Sequence, residues 1–434
     1  MILRSLSLSN FHRFERYSIH FDDRLTVLVG DNGSGKSSIL RAASIALSAF
    51  LSSFEDASSI EIKQRDARLV TYGQGGVIDR QAQYPVGIEA AGVVGDRAVT
   101  WKRSLNSAKG KTTRADAQEM AEQGREYAQR LQSGDPDLVL PLLAFYGTGR
   151  LWASKQVIND DVRAFGRTEG YRGSLDIGTD DKALLAWFKK ATLQELQSAR
   201  RSDLPHSLPT LTAVREAISS CFSLISGHEG VTVDYDFDTN DLDIIYRDER
   251  DEMQSLPRSY FSDGYKTTLS MVADIAYRMA LLNPGLGHEV IADTPGIVLI
   301  DEVDLHLHPK WQARVLGDLQ TIFPKVQFIV TTHAPLVISS VRAKHIRMLE
   351  TGLSEAAVPP AEVYGGSLNR LVTTVMGSED RPKKVRELFE AFYRSLDRER
   401  FAQAKELLDE LSACMGDSEP DVVAAQTAYA LEAE

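Results

Sequence analysis

Eight consecutive residues, Gly30-Asp31-Asn32-Gly33-Ser34-Gly35-Lys36-Ser37, follow the pattern G-x-x-x-x-G-K-S. That spacing suits one kind of chemistry, the cradling of a phosphate chain. Glycines let the backbone turn until successive N–H groups face an anion, and a helix starting where the loop ends adds the positive end of its dipole. On this reading Gly30, Asn32, Gly33, Ser34, Gly35 and Ser38 surround the phosphates. Lys36 reaches the β- and γ-oxygens, and the Ser37 hydroxyl ligates Mg²⁺. A chance glycine-rich turn would lack the right flanks. Here the apolar run Leu25-Thr26-Val27-Leu28-Val29 predicts a buried strand entering the loop, and Ser38-Ile39-Leu40-Arg41-Ala42-Ala43 predicts a helix leaving it. The segment is expected to bind a nucleoside triphosphate.

Two further segments supply complementary chemistry. Ile297-Val298-Leu299-Ile300-Asp301-Glu302 is an apolar strand ending in two carboxylates. Asp301 is placed to hold Mg²⁺ through its water shell, and Glu302 to orient or deprotonate an attacking water. Gln327-Phe328-Ile329-Val330-Thr331-Thr332-His333 is another strand, whose C-terminal His333 stands where α/β sheets present ligands and can hydrogen-bond a γ-phosphate. Phe261-Ser262-Asp263-Gly264-Tyr265 then opens a helical pattern from Lys266 to Leu281, a second anion-binding terminus built on Ser262 and Gly264. One triphosphate does not need two such termini in one molecule. A head-to-tail dimer does, each phosphate loop being capped by the partner's Ser-x-Gly turn.

In this order the segments resemble the ABC-type ATPases of the SMC, RecF and OLD kind: Walker A at Gly30 to Ser37, signature at Phe261 to Tyr265, Walker B at Ile297 to Glu302, D-loop Asp304 and switch His333. Leu8-Ser9-Asn10-Phe11-His12-Arg13-Phe14 is similar to the N-terminal strand-loop of that group, which lies beside the nucleotide and adds His12 and Arg13 to the binding residues. Leu305-His306-Leu307-His308-Pro309 is typical of its small members, so His306 and His308 are read as scaffold rather than as a metal pair. The resemblance covers residues 1–350. It implies an α/β fold: an ABC-type P-loop ATPase head with an antiparallel β lobe, a helical insertion and a C-terminal helical tail. It also implies ATP and Mg²⁺ as cofactors, with Lys36, Glu302 and His333 catalytic and Ser37 and Asp301 at the metal. Two positions depart from the family pattern. Asp263 replaces the first signature glycine and Tyr265 the glutamine, which puts the strength of ATP-driven closure in question. No glutamine stands clearly as a Q-loop, and Ala144-Phe145-Tyr146-Gly147-Thr148-Gly149-Arg150 is read in its place.

A chain of 434 residues is long for one core. The divisions expected are 1–150, the first half of the ATPase domain; 151–255, a mostly helical insertion; 256–358, the second half; and 359–434, a helical tail after Pro359-Pro360. Within them, 84–103 reads as a hairpin around Gly95-Asp96 and Val231 to Tyr246 as another around Thr239-Asn240. Ala183 to Phe188 and Leu211 to Ile225 read as helices separated by turns at Pro205 and Pro209. The insertion is too short and interrupted for a long coiled coil. The net charge of −12 does not suit a protein coated for nucleic acid. Lys102, Arg103, Lys109, Lys111 and Arg114 form a basic stretch, read as a solvated surface loop. Only Cys221 and Cys414 are present, widely spaced, and the N-terminus shows no signal-peptide pattern. A cytoplasmic protein without membrane contact is expected.

More closely, Tyr146-Gly147-Thr148-Gly149-Arg150-Leu151-Trp152, Ser262 to Tyr265, Leu305 to Pro309, Arg381-Pro382 and Ala404-Lys405-Glu406-Leu407-Leu408 with Leu411 resemble the ATPases of Septu-type anti-phage defence and their relatives in retron systems. That resemblance implies self-association and control of a separate HNH nuclease, in some systems together with retron DNA–RNA. The tail lacks clustered acidic ligands, so the chain is not itself expected to be a nuclease. Two other readings stay open at this point: a genome-maintenance ATPase that clamps DNA directly, and a scaffold that binds ATP with little turnover. A transporter subunit is disfavoured.

Overall fold

The computed structural model describes residues 1–151 apart from 58, 75 and 76, then 166–176, 181–201, and 207–433 apart from 351, 376 and 378–380. Trp152 and Pro205 therefore lie outside the described residues. Contacts divide the chain into two compact units, Met1–Leu368 and Asn369–Glu434. The first unit continues past Pro359-Pro360: Val363 is buried, and the Gly365 N–H donates to the Ser339 carbonyl at 2.9 Å.

The chain opens with strands β1 (Ile2–Phe11) and β2 (Phe14–His20), and β3 (Leu25–Val29) runs into the phosphate loop and helix α1 (Lys36–Leu51). Strands β4 (Leu69–Gln74), β5 (Val77–Ala82), β6 (Val86–Val94) and β7 (Arg97–Leu105) follow, then α2 (Gln118–Gln132) and β8 (Leu142–Tyr146). Helices α3 (Asp181–Arg201) and α4 (Pro209–Ser226) precede β9 (Thr232–Asp236), β10 (Asp241–Arg247) and β11 (Met253–Pro257). The long helix α5 (Asp263–Leu282) then leads to β12 (Gly296–Ile300), α6 (Val315–Ile322), β13 (Val326–Thr331) and β14 (Ile346–Met348).

Five strands form a parallel sheet in the order β14-β3-β13-β12-β8. Every residue of β3, β8, β12 and β13 is buried, which is why these strands read as unbroken apolar runs rather than alternating ones. Beside it stands the expected antiparallel lobe, in the order β2-β1-β6-β7. Its β6–β7 hairpin closes at Val94↔Arg97, so the turn is Gly95-Asp96, with Gly95 at φ +58°. Trp101 of β7 ties the lobe to α1, its indole N–H donating to the Ala46 carbonyl at 2.9 Å.

The basic stretch is not a single solvated loop. Lys102 and Arg103 lie within β7, and Arg103 is only 3 % exposed. Its guanidinium donates to the carbonyls of Ile45 and Ile60 and to the Ser48 hydroxyl. Burial pulls that guanidinium down to about 10, so it stays charged and pins the loop after α1. Lys109, Lys111 and Arg114 are exposed as expected.

In the insertion, α3 and α4 are the expected helices. Pro209, read as part of a turn, is instead the first residue of α4, where a missing N–H costs no hydrogen bond. The β9–β10 hairpin turns around Thr239-Asn240 as expected, with Asp236 opposite Asp241, and β11 adds a third strand. A buried polar link joins α5 to the parallel sheet. The Tyr146 hydroxyl at the end of β8 donates to Asp274 at 2.8 Å, and Asp274 pairs with Arg278 at 2.8 Å. Arg278 also donates to the carbonyls of Gly170 and Arg172.

The second unit contains α7 (Lys383–Leu396), α8 (Phe401–Met415) and α9 (Pro420–Ala433). Their 3.6-residue apolar spacing closes on a core of Phe392, Leu396, Ala404, Leu408, Leu411 and Ala425. Arg381 staples its three helices. The guanidinium lies 4.9 Å from the Phe389 ring of α7, 3.4 Å from the Met415 sulfur of α8, and pairs with Asp421 at the start of α9. Arg381→Ala is expected to destabilise this unit by about 1–2 kcal/mol. Hydrogen exchange would rise across α7–α9 and stay unchanged in the parallel sheet.

Candidate nucleotide site

The strand order explains how residues 300 positions apart meet. Strand β13 lies between β3 and β12, all parallel, so their C-terminal ends deliver the phosphate loop, Thr331-Thr332-His333 and Asp301-Glu302 to one edge of the sheet. A cavity of about 290 Å³ opens there. Asn32, Gly33, Gly35, Lys36, Ser37 and Ser38 of the loop and α1 line it, facing Asp301, Glu302 and His333, with His12 and Arg13 from the β1–β2 turn. Gly30 and the buried Ser34 shape the loop from behind without lining the cavity.

The loop is held in its curve by specific contacts. Gly35 has φ +104°, and a Cβ there would come 2.3 Å from the Phe14 ring, so both the backbone and the packing demand glycine. Arg13 donates to the Gly33 carbonyl. The Lys36 ammonium donates to the carbonyls of Gly30 at 2.7 Å and Asp31 at 2.9 Å. Burial lowers its pKa, against the pull of Asp301, Asp31 and Glu302.

Across the cavity, the Ser37 hydroxyl donates to Asp301 Oδ1 at 3.1 Å. These are two hard oxygen donors side by side, a donor set that fits Mg²⁺, which takes few protein ligands and keeps waters and substrate oxygens. Thr331, which sequence reasoning did not single out, organises both carboxylate residues. Its hydroxyl donates to Asp301 Oδ1 at 2.6 Å and accepts the Glu302 N–H at 2.7 Å. Glu302 is thereby held at φ +49°, an uncommon backbone for a residue with a Cβ. Thr332 repeats the device one residue on, donating to Asp304 at 2.6 Å. No local pattern marks either threonine, because their roles follow from the sheet order that sets β13 against β12.

Ser262 and Gly264 are not among the residues that line this cavity. They stand at the start of α5, where Ser262 is exposed and its hydroxyl caps none of its own helix N–H groups. Gly264 is buried against the turn after β12, and a Cβ would meet the His306 carbonyl oxygen at 2.4 Å. Asp263 is two-thirds exposed, 3.7 Å from Lys266. Tyr265 packs edge-on to Trp311 at 4.3 Å and beside Phe222 and Phe261, an anchoring role glutamine would not fill. His308 accepts the Lys310 N–H at 3.3 Å and starts the short Pro309–Gln312 helix. Gly147 and Thr148, in the stretch read for the Q-loop, line a second cavity of about 270 Å³ that shares His12, Ser37 and Asp301 with the first.

Comparison with known proteins gives consistent relatives. The AAA domain family matches residues 5–223, about half of the chain, and a second AAA domain description matches 182–339. The chain is 25 % identical to the retron Vc95 probable ATPase of Vibrio cholerae, over 80 % of this chain and 73 % of that one. It is 26 % identical to the retron Ec83 probable ATPase of Escherichia coli, over 87 % and 76 %. It is 35 % identical to the Septu protein PtuA of Bacillus mycoides, over 30 % and 18 %. Among the described residues no helix is long and apolar enough to cross a membrane.

Proposed function

The chain belongs to the AAA domain family and is similar to two retron probable ATPases and to the Septu protein PtuA, and from that premise we propose that it hydrolyses Mg·ATP between two copies joined head to tail and so controls a separate nuclease. The observation that carries this reading is the separation just described. One chain brings the phosphate loop, Asp301, Glu302 and His333 to one cavity and leaves Ser262 and Gly264 off it.

In the proposed cycle, the N–H groups of the loop and the first turn of α1 hold the phosphates, and Lys36 exchanges its carbonyl partners for the β- and γ-oxygens. Bound Mg²⁺, held by Ser37 and Asp301, would neutralise charge on those oxygens. Glu302 takes the proton of the attacking water, and His333 hydrogen-bonds the γ-phosphate. Ser262 and Gly264 of the second copy close the site. Closure is driven only if ATP binds the joined state more tightly than the open one.

Lys36→Ala is expected to weaken ATP binding on the order of 100-fold, through loss of charge-assisted hydrogen bonds, as read by equilibrium titration. The function is tested by recovering the tagged protein from its native locus with Mg·ATP. A stoichiometric HNH nuclease in the eluate, with or without a retron nucleic acid, supports control of an effector. Recovery with bulk DNA alone, released by salt, would favour direct DNA clamping instead.

A further inference from the structure

Three side chains beside the phosphate loop form a hydrogen-bonded line that the reaction above does not use. Asp66 is 2 % exposed and accepts the Lys63 N–H at 2.7 Å. Its Oδ1 lies 3.2 Å from His12 Nε2, and His12 Nδ1 lies 2.8 Å from the Ser38 hydroxyl oxygen. Ser38 lines the phosphate cavity. The imidazole is fixed from several sides. It stacks on Phe11 at 4.5 Å with the rings 1° from parallel, and the His12 backbone N–H donates to the Asp66 carbonyl at 2.7 Å.

Hydrogen-bond arithmetic limits what this line can do. An ionised carboxylate only accepts, so Nε2 carries a proton. With a neutral ring, Nδ1 is then an acceptor, the Ser38 O–H is spent on it, and only oxygen lone pairs face the cavity. With a second proton on the ring, Nδ1–H donates to the Ser38 oxygen and the Ser38 O–H is free for a phosphate oxygen. Burial alone would raise the Asp66 carboxyl, but the His12 and Lys63 hydrogen bonds and nearby Arg41 outweigh it and hold it below its ordinary value. The other charged or titratable groups around the ring are Arg41, 3.8 Å from Asp66, Arg65 and Asp301 across the second cavity, and Arg13, Lys36, Glu302 and His333 around the first.

We propose that Asp66 and His12 are positioning residues that hold the Ser38 hydroxyl in place beside the phosphate chain of the bound nucleotide. This rests on the nucleotide-site reading above. The test is calorimetric titration of the full chain and its variants with Mg·ADP. His12→Gln, Asp66→Asn and Ser38→Ala are each expected to weaken binding about tenfold. Combining Asp66→Asn with Ser38→Ala should cost no more than either change alone, because both remove the same bond. A structural role would lower the melting temperature without nucleotide and leave the losses additive. Wild-type affinity in Asp66→Asn, or additive losses in the double variant, would overturn the relay while Lys36→Ala still lost binding. Wild-type affinity in Lys36→Ala would overturn the site reading itself and the relay with it.

Discussion

Replacing Glu302 with glutamine is expected to cut ATP turnover by about 10²–10³-fold, the range for loss of a general base, with KM close to the wild-type value. Glutamine keeps the side chain's length and shape, so an effect on kcat alone identifies a group that acts on the water rather than on the nucleotide. The geometry prepares Glu302 for this. Its backbone is held in the left-handed region at φ +49°, and the Thr331 hydroxyl that fixes its N–H also fixes Asp301, the other carboxylate. Because closure precedes cleavage in the proposed cycle, the Glu302→Gln variant should accumulate as a dimer in Mg·ATP, read by light scattering. An unchanged kcat, or a monomer under saturating Mg·ATP, would rule out this role.

Asp274→Ala should be the most damaging single change to stability outside the nucleotide cavity, costing about 3–5 kcal/mol. Asp274 is 1 % exposed and Arg278 is 2 % exposed. Removing the carboxylate strands a buried guanidinium, and it also deprives the Tyr146 hydroxyl of its acceptor. Arg278 keeps its bonds to the Gly170 and Arg172 carbonyls, so the loss falls on the link between α5 and the sheet. That link matters for function, since the Asp301 N–H donates to the Tyr146 carbonyl at 2.8 Å. Chemical denaturation would measure the loss, and Tyr146→Phe should cost only about 1 kcal/mol. A loss under 1 kcal/mol for Asp274→Ala would show that the pair is not holding α5 in place.

Much of the site was legible because its chemistry is local. The glycines, Lys36 and Ser37 sit within eight residues, and buried parallel strands announce themselves as apolar runs such as Ile297 to Ile300. The residues that organise the site were less visible. Thr331 matters because of the sheet order, which puts β13 against β12, and no local pattern reports that. Asp66 meets His12 only through the packing of the loop after α1 on the β1–β2 turn. Arg103 looked like a surface charge because its carbonyl partners lie 43 and 58 residues away. The Pro359-Pro360 break marks a shift in composition, whereas the compact unit runs on to Leu368 because Val363 and the segment after it pack back onto it.

The shared site is tested most directly by mixing two inactive variants. Lys36→Ala removes the phosphate loop's cation, and Ser262→Arg blocks the signature at an exposed position where the fold tolerates the change. Each alone should release almost no phosphate. In a mixed head-to-tail dimer, one site carries both lesions and the other carries none. Random pairing of equal amounts should then restore about a quarter of wild-type turnover. No recovery on mixing, or full activity in Ser262→Arg alone, would contradict a site built from two copies.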